Sequence, residues 1–362
     1  MNNNTQFDRY LADDGPAALV VREHLIPVEG PDAVVFPATF AAGDGFPGGY
    51  NIDGDPNGQN IALIDSVGSQ SNRIEPMFAK DDYKKLVPQV VIKAGAKSIS
   101  LLQAGHRAGD AIVRCSALQQ ELQDAFNKLL NGDATPLAKI APTSLVFGVW
   151  DSRDTQAKTP RLIASTIRAY DVRVLTRSAQ YVPALDYVSE GLLEEPEDLK
   201  DASGKIKGKH PFAQRGFTHV PATASHGGVI AKGGIRRDAT LALAALRLIH
   251  AGPDTEATNK LRRYILGLAL VAFTRLPGGY LRQGTILVLD PDKKTTFDEV
   301  YPDGKRKAAN VTHQAALAYA KDVAKDFGVG SDRTDNFDVE RAKKDLRGEG
   351  EGKPGGKTKK AR

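Results

Sequence analysis

Between Trp150 and Tyr181 the chain reads WDSRDTQAKTPRLIASTIRAYDVRVLTRSAQY. Residues 162–182 are rich in β-branched side chains, which predicts extended chain. Six cations ride on this stretch (Arg153, Lys158, Arg161, Arg168, Arg173 and Arg177), and only Asp151, Asp154 and Asp171 oppose them. Arginine offers a rigid, always-charged fork that fits phosphate oxygens bidentately. Tyr170 and Tyr181 can stack on a base, and Ser, Thr and Gln can bond sugars and phosphates. Such a face suits a nucleic-acid strand. A solvated strand face crossed by salt bridges explains the same residues, and composition alone leaves both readings open.

The 362 residues, 41% of them hydrophobic, suffice for a sizeable core in one large domain or two. A net charge of +5 and a pI near 9.0 permit an anionic partner without demanding one. The distribution says more than the total. From Lys205 to Arg263 eleven Lys/Arg face three acids, whereas Asp186 to Asp201 holds seven acids and one Lys. Cys115 is the only cysteine, so no intrachain disulfide can form. The start MNNNTQFDRYLADDG lacks a cationic segment followed by an apolar one, so no signal peptide is expected. The longest apolar run, Tyr264 to Phe273, is ten residues, too short to span a bilayer. A cytoplasmic protein without a membrane partner is the expectation.

Along the chain, AALVV and AVVFPATF within 17–40 are short β-rich runs, and PQVVIKAG at 88–95 reads as a strand ended by Gly95. Residues 43–60 carry loop chemistry, and 61–75 fit a short helix bearing Asn72 and Arg73. Ala111, Cys115, Leu118, Leu122, Ala125 and Leu129 predict one helix over about 100–130, closed by Asn131-Gly132. Arg107, Asp110 and Arg114 fall on another stripe of it, as an intrahelix ion network or a clamp for phosphate. SLVFGVW at 144–150 reads as a buried strand that delivers Trp150 and Asp151 to its end. Asp238 reads as the N-cap of a helix DATLALAALRLIHAG, with Gly252 past its end. A second apolar segment covers 260–275, PGGYLRQG makes a turn, and TILVL at 285–289 a strand. The acidic run 186–201 and the ASGKIKGKH after it read as an exposed insertion, and the tail from about Lys343 as disordered. The sum is a mixed α and β domain with antiparallel hairpins.

Two glycine-rich loops are candidate binding elements. In HGGVIAKGGIRRD, Gly227, Gly228, Gly233 and Gly234 permit close backbone approach and a concentration of amides. Lys232, Arg236 and Arg237 add charge there, and the expected helix N-terminus at Asp238 would favour phosphate. Neither a Walker loop nor a dinucleotide fingerprint is present. PGGYLRQG offers Tyr280 and Arg282, either as contacts or as exposed turn residues. Catalysis finds little support. No H-E-x-x-H or HxH pair occurs, and the spacing of His210, His219 and His226 fits no familiar zinc site. Cys115 sits on the buried stripe, Asp151 and Asp154 flank Arg153 as ion-pair partners, and His106 has no assignable nucleophile.

Four segments together resemble one family: DSVGSQSNRIEP (65–76), LLQAGHRAGDAIVR (101–114), PTSLVFGVWDSRDTQAKTPRLIASTIRAYDV (142–172) and TRSAQY (176–181). They are similar to the backbone subunit of type I CRISPR interference complexes of the I-U or I-G variety, in the RAMP superfamily. The resemblance spans roughly residues 15 to 330. It implies an α+β fold: a ferredoxin-like (RRM-like) βαββαβ core with large insertions, one domain over 1–340, with the 43–60 loop and 184–220 as a candidate thumb or finger, and a basic tail at 343–362.

The resemblance also implies a subunit that stacks head to tail along a CRISPR guide RNA and pairs it with target DNA. Its other partners would be the large subunit and the end-cap or processing subunit, and it would carry no catalysis, metal or cofactor of its own. A filament subunit must hold RNA of any sequence, which calls for phosphate and sugar contacts. The expected RNA contacts are Asn72, Arg73, His106, Arg107, Arg114, Arg153, Lys158, Arg161, Arg168, Lys232, Arg236 and Arg237, with the four glycines of 227–234 as a phosphate loop. The acidic run 186–201 and the basic segment 205–237 either meet across a head-to-tail interface or form a solvated dipole of charges. The alternative function is a RAMP-type endoribonuclease acting through Asp151 or Asp154 with a metal, or through His106.

Overall fold

The segment Ala18–Pro27 turns Leu19, Val21 and Leu25 inward and Arg22 outward, the two-residue period of a strand with one face on a core. In the computed structural model, which describes residues 5–55, 58–194, 211–276 and 278–347, it is the central strand of the main sheet. The principal strands in chain order are β1 (Ala18–Pro27), β2 (Asn60–Asp65), β3 (Ile163–Tyr170), β4 (Val172–Tyr181), β5 (Val220–Ala231), β6 (Ile235–Ala242), β7 (Thr285–Leu289) and β8 (Thr296–Val300). The principal helices are α1 (Val67–Ile74), α2 (Gln119–Leu130), α3 (Thr255–Thr274), α4 (His313–Phe327) and α5 (Val339–Arg347).

β6 lies antiparallel on one side of β1, and β3 lies antiparallel beyond it. On the other side the edge is shared: β8 pairs with Ala18–Arg22 and β7 with Leu25–Pro27, both antiparallel. In chain order the core runs β1, a helical segment, β3, β6, α3, then β7 and β8. In space the order is fourth, first, third, second. That is the expected ferredoxin-like βαββαβ core, with β2 added outside β3.

The largest insertion joins β3 to β6. β4 and β5 form a two-stranded antiparallel hairpin that continues these strands past Asp171 and the Lys232–Gly234 turn. Of the expected insertion at 184–220, residues 184–194 and 211–219 lie at the tip of this arm, and 195–210 lie outside the described residues. At the arm root Val35, Tyr50, Val172, Val229, Ala231 and Ile235 join a second small core that continues under the main sheet through Leu25, Ala62, Ile64, Ile167 and Ala169.

α3 explains the longest apolar run. Every residue from Tyr264 to Phe273 is buried, as befits a helix packed on all sides. Asp254 caps it, accepting from the Ala257 amide at 3.0 Å. No helix among the described residues is long and apolar enough to cross a membrane.

Five expectations need correction. The short helix expected over 61–75 is only Val67–Ile74, because Asn60–Asp65 alternates buried and exposed residues as strand β2. Residues 235–242 are strand β6, and Asp238 lies inside it rather than capping a helix; only Leu243–Leu246 is helical. The inward Arg237 interrupted the apolar alternation and hid the two-residue period. Residues 143–147 form a buried helical turn, and only Val149–Trp150 is extended; periodicity cannot separate a short buried strand from a helix. The helix expected over 100–130 is broken into Leu101–Gln103, Arg107–Gly109, Ala111–Arg114 and α2. Ser100 and Asp110 each cap a new start, accepting from Leu102 and Ile112, and Arg107 sits at φ +54. Lys343–Arg347, expected in the disordered tail, belong to α5, and 348–362 lie outside the described residues.

α3 crosses α4 at Gly267, where an added Cβ would lie 2.9 Å from Val323 Cγ2 and 3.0 Å from Ala320 Cα. Gly267→Val should lower stability by about 1–3 kcal/mol through overpacking, read as a lower urea midpoint at unchanged slope.

Candidate nucleic-acid interface

The site is organised by carboxylates that water does not reach. Asp65, at the end of β2, has a wholly buried side chain. Its Oδ2 accepts from Gln70 Nε2 at 2.6 Å and Arg73 Nε at 3.2 Å. Its Oδ1 accepts from Ser69 Oγ at 2.8 Å and Arg282 Nη2 at 3.0 Å. One acid therefore aims α1 and the turn before β7 at each other. The chain of bonds runs on into the sheet. Ser165 Oγ donates to Gln70 Oε1 at 3.0 Å, and Arg237 donates to Ser165 Oγ at 3.4 Å and to Glu23 Oε2 at 2.5 Å.

Two buried arginines tie the family-like strings together. Arg107 pairs with Glu75 of SNRIEP at 2.7 Å, donates to the Gly148 carbonyl and to Asn72 Oδ1 at 3.3 Å each, and lies over the Phe147 ring. Arg114 has no exposed side-chain surface. It donates to Asp151 Oδ2 at 3.4 Å, to Asp154 and to the Gln119 carbonyl, with Phe126 against its face. Asp151 Oδ2 also accepts from the Thr155 amide and hydroxyl at 3.0 and 2.7 Å, which closes the 151–155 turn. The intrahelix network expected of Arg107, Asp110 and Arg114 does not exist, because the helix is broken between them.

Burial pushes the Glu75 carboxyl up to about 7, while Arg107 pulls it back down. Burial likewise depresses the Arg107 and Arg114 guanidiniums, opposed by their acids. The Cys115 thiol is raised chiefly by burial, which does not favour a nucleophile.

Around these clamps lies an edge of accessible cations. Arg73 and Asn72 project from the end of α1. Asn72 is bonded to Arg107, which also holds Gly148, and the exposed Arg161 packs on Gly148. His106 is exposed beside Arg107. Lys158 pairs with Trp150 across a short ribbon, its ammonium 5.8 Å from the indole centroid. At the other end a cleft of about 380 Å³ opens between α1, the end of α3 and the Gly278–Gly279 turn. Arg73, Lys80, Arg275 and Tyr280 line it over an apolar floor that includes Leu25, Ile167 and Leu287.

The twelve expected contacts thus divide. Asn72, Arg73, His106, Lys158 and Arg161 share this edge. Arg153 is half-buried and committed to Asp345 of α5 at 2.5 Å and to Cys115 Sγ at 3.2 Å. Arg168 and Arg236 stand opposite each other on the other face of the sheet, where Arg236 bonds Asp238 at 2.8 Å and covers Tyr170. Lys232 is exposed at the arm root. Arg107, Arg114 and Arg237 differ from the expectation of exposed contacts: their guanidiniums are buried in ion pairs with Glu75, with Asp151 and Asp154, and with Glu23, and of the three only Arg237 lines the cleft.

The phosphate loop is a correction too. The Gly228 amide donates to Tyr50 Oη at 3.0 Å, Gly233 to the Tyr170 carbonyl at 2.9 Å and Gly234 to the Ala231 carbonyl at 3.1 Å. No helix N-terminus follows. A Cβ on Gly227 would lie 2.7 Å from the Thr176 carbonyl carbon, and one on Gly228 2.4 Å from Val34 Cγ1. These glycines let the arm strands and the 34–36 segment close up.

Sequence reading missed Lys80, Arg275 and the platform at Trp150. Lys80 and Arg275 belong to no string of distinctive residues, and the fold alone brings them together. Tyr280 lines the cleft and is exposed, whereas Arg282 beside it is spent on Asp65. Among the described residues no group of three His, Cys, Asp or Glu is placed to hold a metal ion.

Fold and site define a ferredoxin-like protein with a long hairpin arm and a cationic edge fixed by buried acids. Residues 19–174 match the model of a family described as CRISPR-associated protein GSU0053, which supports a Cas protein. The matched span holds three of the four distinctive strings and every residue of the Arg107 and Arg114 clamps named above. No curated protein matches the chain.

Arg114→Met should destabilise the fold by about 3–5 kcal/mol, because it strands Asp151 and Asp154 without their cation. Adding Asp151→Asn should recover part of that loss in a denaturant titration.

Glu75 makes a pH-dependent prediction. Its folded pKa stands above the ordinary carboxylate value of 4.5, so the folded chain holds a proton that the unfolded chain releases between 4.5 and about 7. Its contribution to stability should therefore fall as pH rises through that window and level off above it. Glu75→Gln removes the titration. The melting-temperature difference between Glu75→Gln and wild type should shift in favour of the variant from pH 5 to pH 7.5, then stay flat to pH 9. A constant difference throughout would contradict the raised carboxyl.

Proposed function

We propose that this chain is a guide-RNA-binding backbone subunit of a type I CRISPR interference complex, of the I-U or I-G variety. Copies of it assemble head to tail along the guide in the cytoplasm, beside the large and end-cap subunits, and present the guide for pairing with target DNA. The observation that carries this reading is the edge running from the cleft at Arg275 and Lys80 through Arg73, Asn72, His106 and Arg161 to Lys158. Its polar groups suit ribose and phosphate of any sequence. The buried pairs beneath it hold it to one geometry, and the family match of residues 19–174 supports a CRISPR role.

The arm supplies the projecting thumb of this reading. Its strands carry Arg173, Arg177 and Tyr181 outward, and its tip carries Asp186, Glu190 and Glu194. Acids at the tip and cations on the body suit a heterologous contact between successive copies. Asp151 and Asp154 are engaged by Arg114, which supports a scaffold over a metal-dependent endoribonuclease.

Incubation of purified protein with labelled RNA, with and without divalent metal, separates these functions. The scaffold gives slow-migrating complexes with intact RNA. Discrete metal-dependent fragments, abolished by Asp151→Ala in a variant that still folds, would establish the endoribonuclease instead. For single-stranded RNA, Arg161→Ala should lower the slope of log K against log salt by about 0.7, the loss of one phosphate contact. An unchanged slope would take Arg161 off the edge.

A further inference from the structure

Trp150 is the only tryptophan in the chain, and 56% of its surface is exposed. The backbone holds it there. Gly148 takes φ +79, and a Cβ on it would lie 2.9 Å from Arg161 Cγ and 3.1 Å from the Thr159 carbonyl oxygen. Val149 is buried and donates to Thr159 Oγ1 at 3.1 Å. The Asp151 amide donates to the Ala157 carbonyl at 2.9 Å and closes the ribbon. A Cβ on Gly109 would lie 2.7 Å from the Trp150 carbonyl oxygen, so the neighbouring turn sits hard against the ribbon. The indole therefore faces solvent on a rigid mount. Lys158 stands 5.8 Å from its centroid, and among the described residues neither Lys158 nor Arg161 forms an ion pair.

We propose that Trp150 is a stacking platform for one nucleobase of a single strand, with Lys158 and Arg161 on the flanking phosphates. The inference rests on the RNA-holding reading and names its one contact to a base. A polynucleotide supplies a π face and adjacent anions together, matching an aromatic plane beside unneutralised cations. Every base has such a face, so the contact keeps the site tolerant of sequence. A protein partner would need to cover the indole with apolar surface and bring acids to the same cations.

The lone indole reports directly. Intrinsic fluorescence of the full chain is titrated with oligouridylate and with inorganic polyphosphate, while anisotropy of labelled RNA follows binding independently. The expected result is quenching by the oligonucleotide and none by polyphosphate. Trp150→Ala should weaken RNA binding roughly 5- to 100-fold, and Trp150→Phe only a few-fold, since phenylalanine still stacks. The side chain is exposed, so both variants should melt near wild type. Anisotropy showing saturation while emission stays unchanged would overturn the platform and leave the RNA-holding reading standing. Equal quenching by polyphosphate would replace stacking with a charge effect. No RNA binding at all would overturn both. Self-association lost in Trp150→Ala, with RNA binding intact, would assign the indole to a protein interface.

Discussion

Everything at the cationic edge depends on arginines that never reach it. Arg107 and Arg114 lie under the surface, each locked to acids from a distant part of the chain: Arg107 to Glu75, Arg114 to Asp151 and Asp154. Moving such charges out of water costs several kcal/mol per ion, and even a well-made pair roughly cancels that penalty. Net stability is thus a poor account of these pairs. Their effect is geometric. A buried guanidinium with several donors at fixed angles accepts one arrangement of the segments around it and penalises the rest. The end of α1, the turn at 105–109 and the Gly148–Trp150 ribbon reach the core through Ile74, Ala108 and Val149 alone. Arg107 sets their mutual register through bonds to Glu75, Asn72 and the Gly148 carbonyl.

The same logic divides what was legible in the sequence from what was not. The ferredoxin-like core was expected from family resemblance, and the strands at 88–95 and 285–289 from local pattern, because an apolar run bounded by turn residues needs no tertiary context. The distinctive strings SNRIEP, HRAGD and WDSRDTQ were visible as strings. Their division of labour was not, since nothing local separates the arginine that will be buried from the one that will not. Arg73 and Arg107 both follow a polar residue in a short motif, yet one reaches solvent past Asp65 and the other lies 3% exposed against Glu75. Where long-range pairs break regular structure, periodicity misleads. The stripe over 100–130 was there in the spacing, but Arg114 is drawn toward Asp151 and the helix stops around it.

The arm shows a related conflict at Gly227, Gly228, Gly233 and Gly234. Four glycines among cations read as an amide nest, and the residues fit that reading. The fold uses Gly227 and Gly228 because β4, β5 and the 34–36 segment approach too closely for side chains, Gly233 because it closes on Tyr170 and Asp171, and Gly234 for its φ of +83; the amides of Gly228, Gly233 and Gly234 are satisfied by Tyr50, Tyr170 and Ala231. A glycine permits close approach without saying to what, and here the neighbour is the protein itself. The arm gains a root pinned by a small apolar core, so it leaves the sheet as a stiff continuation of β3 and β6 rather than as a loop.

These features together explain how a chain with a net charge of only +5 can present a strongly cationic edge. Acids and cations are not mixed evenly. Carboxylates such as Asp65 and Asp151 are drawn inside, where each is neutralised by an arginine, while Lys158 and Arg161 stay outside without acid partners among the described residues. Internal pairs contribute nothing to the field in solvent at long range, whereas the unpaired outer cations act over about a Debye length, roughly 8 Å at physiological salt. A strand laid along the edge therefore meets positive charge at close quarters but little excess farther out. Binding of that kind depends on the spacing of the outer cations more than on total charge, and the spacing is set by the buried pairs.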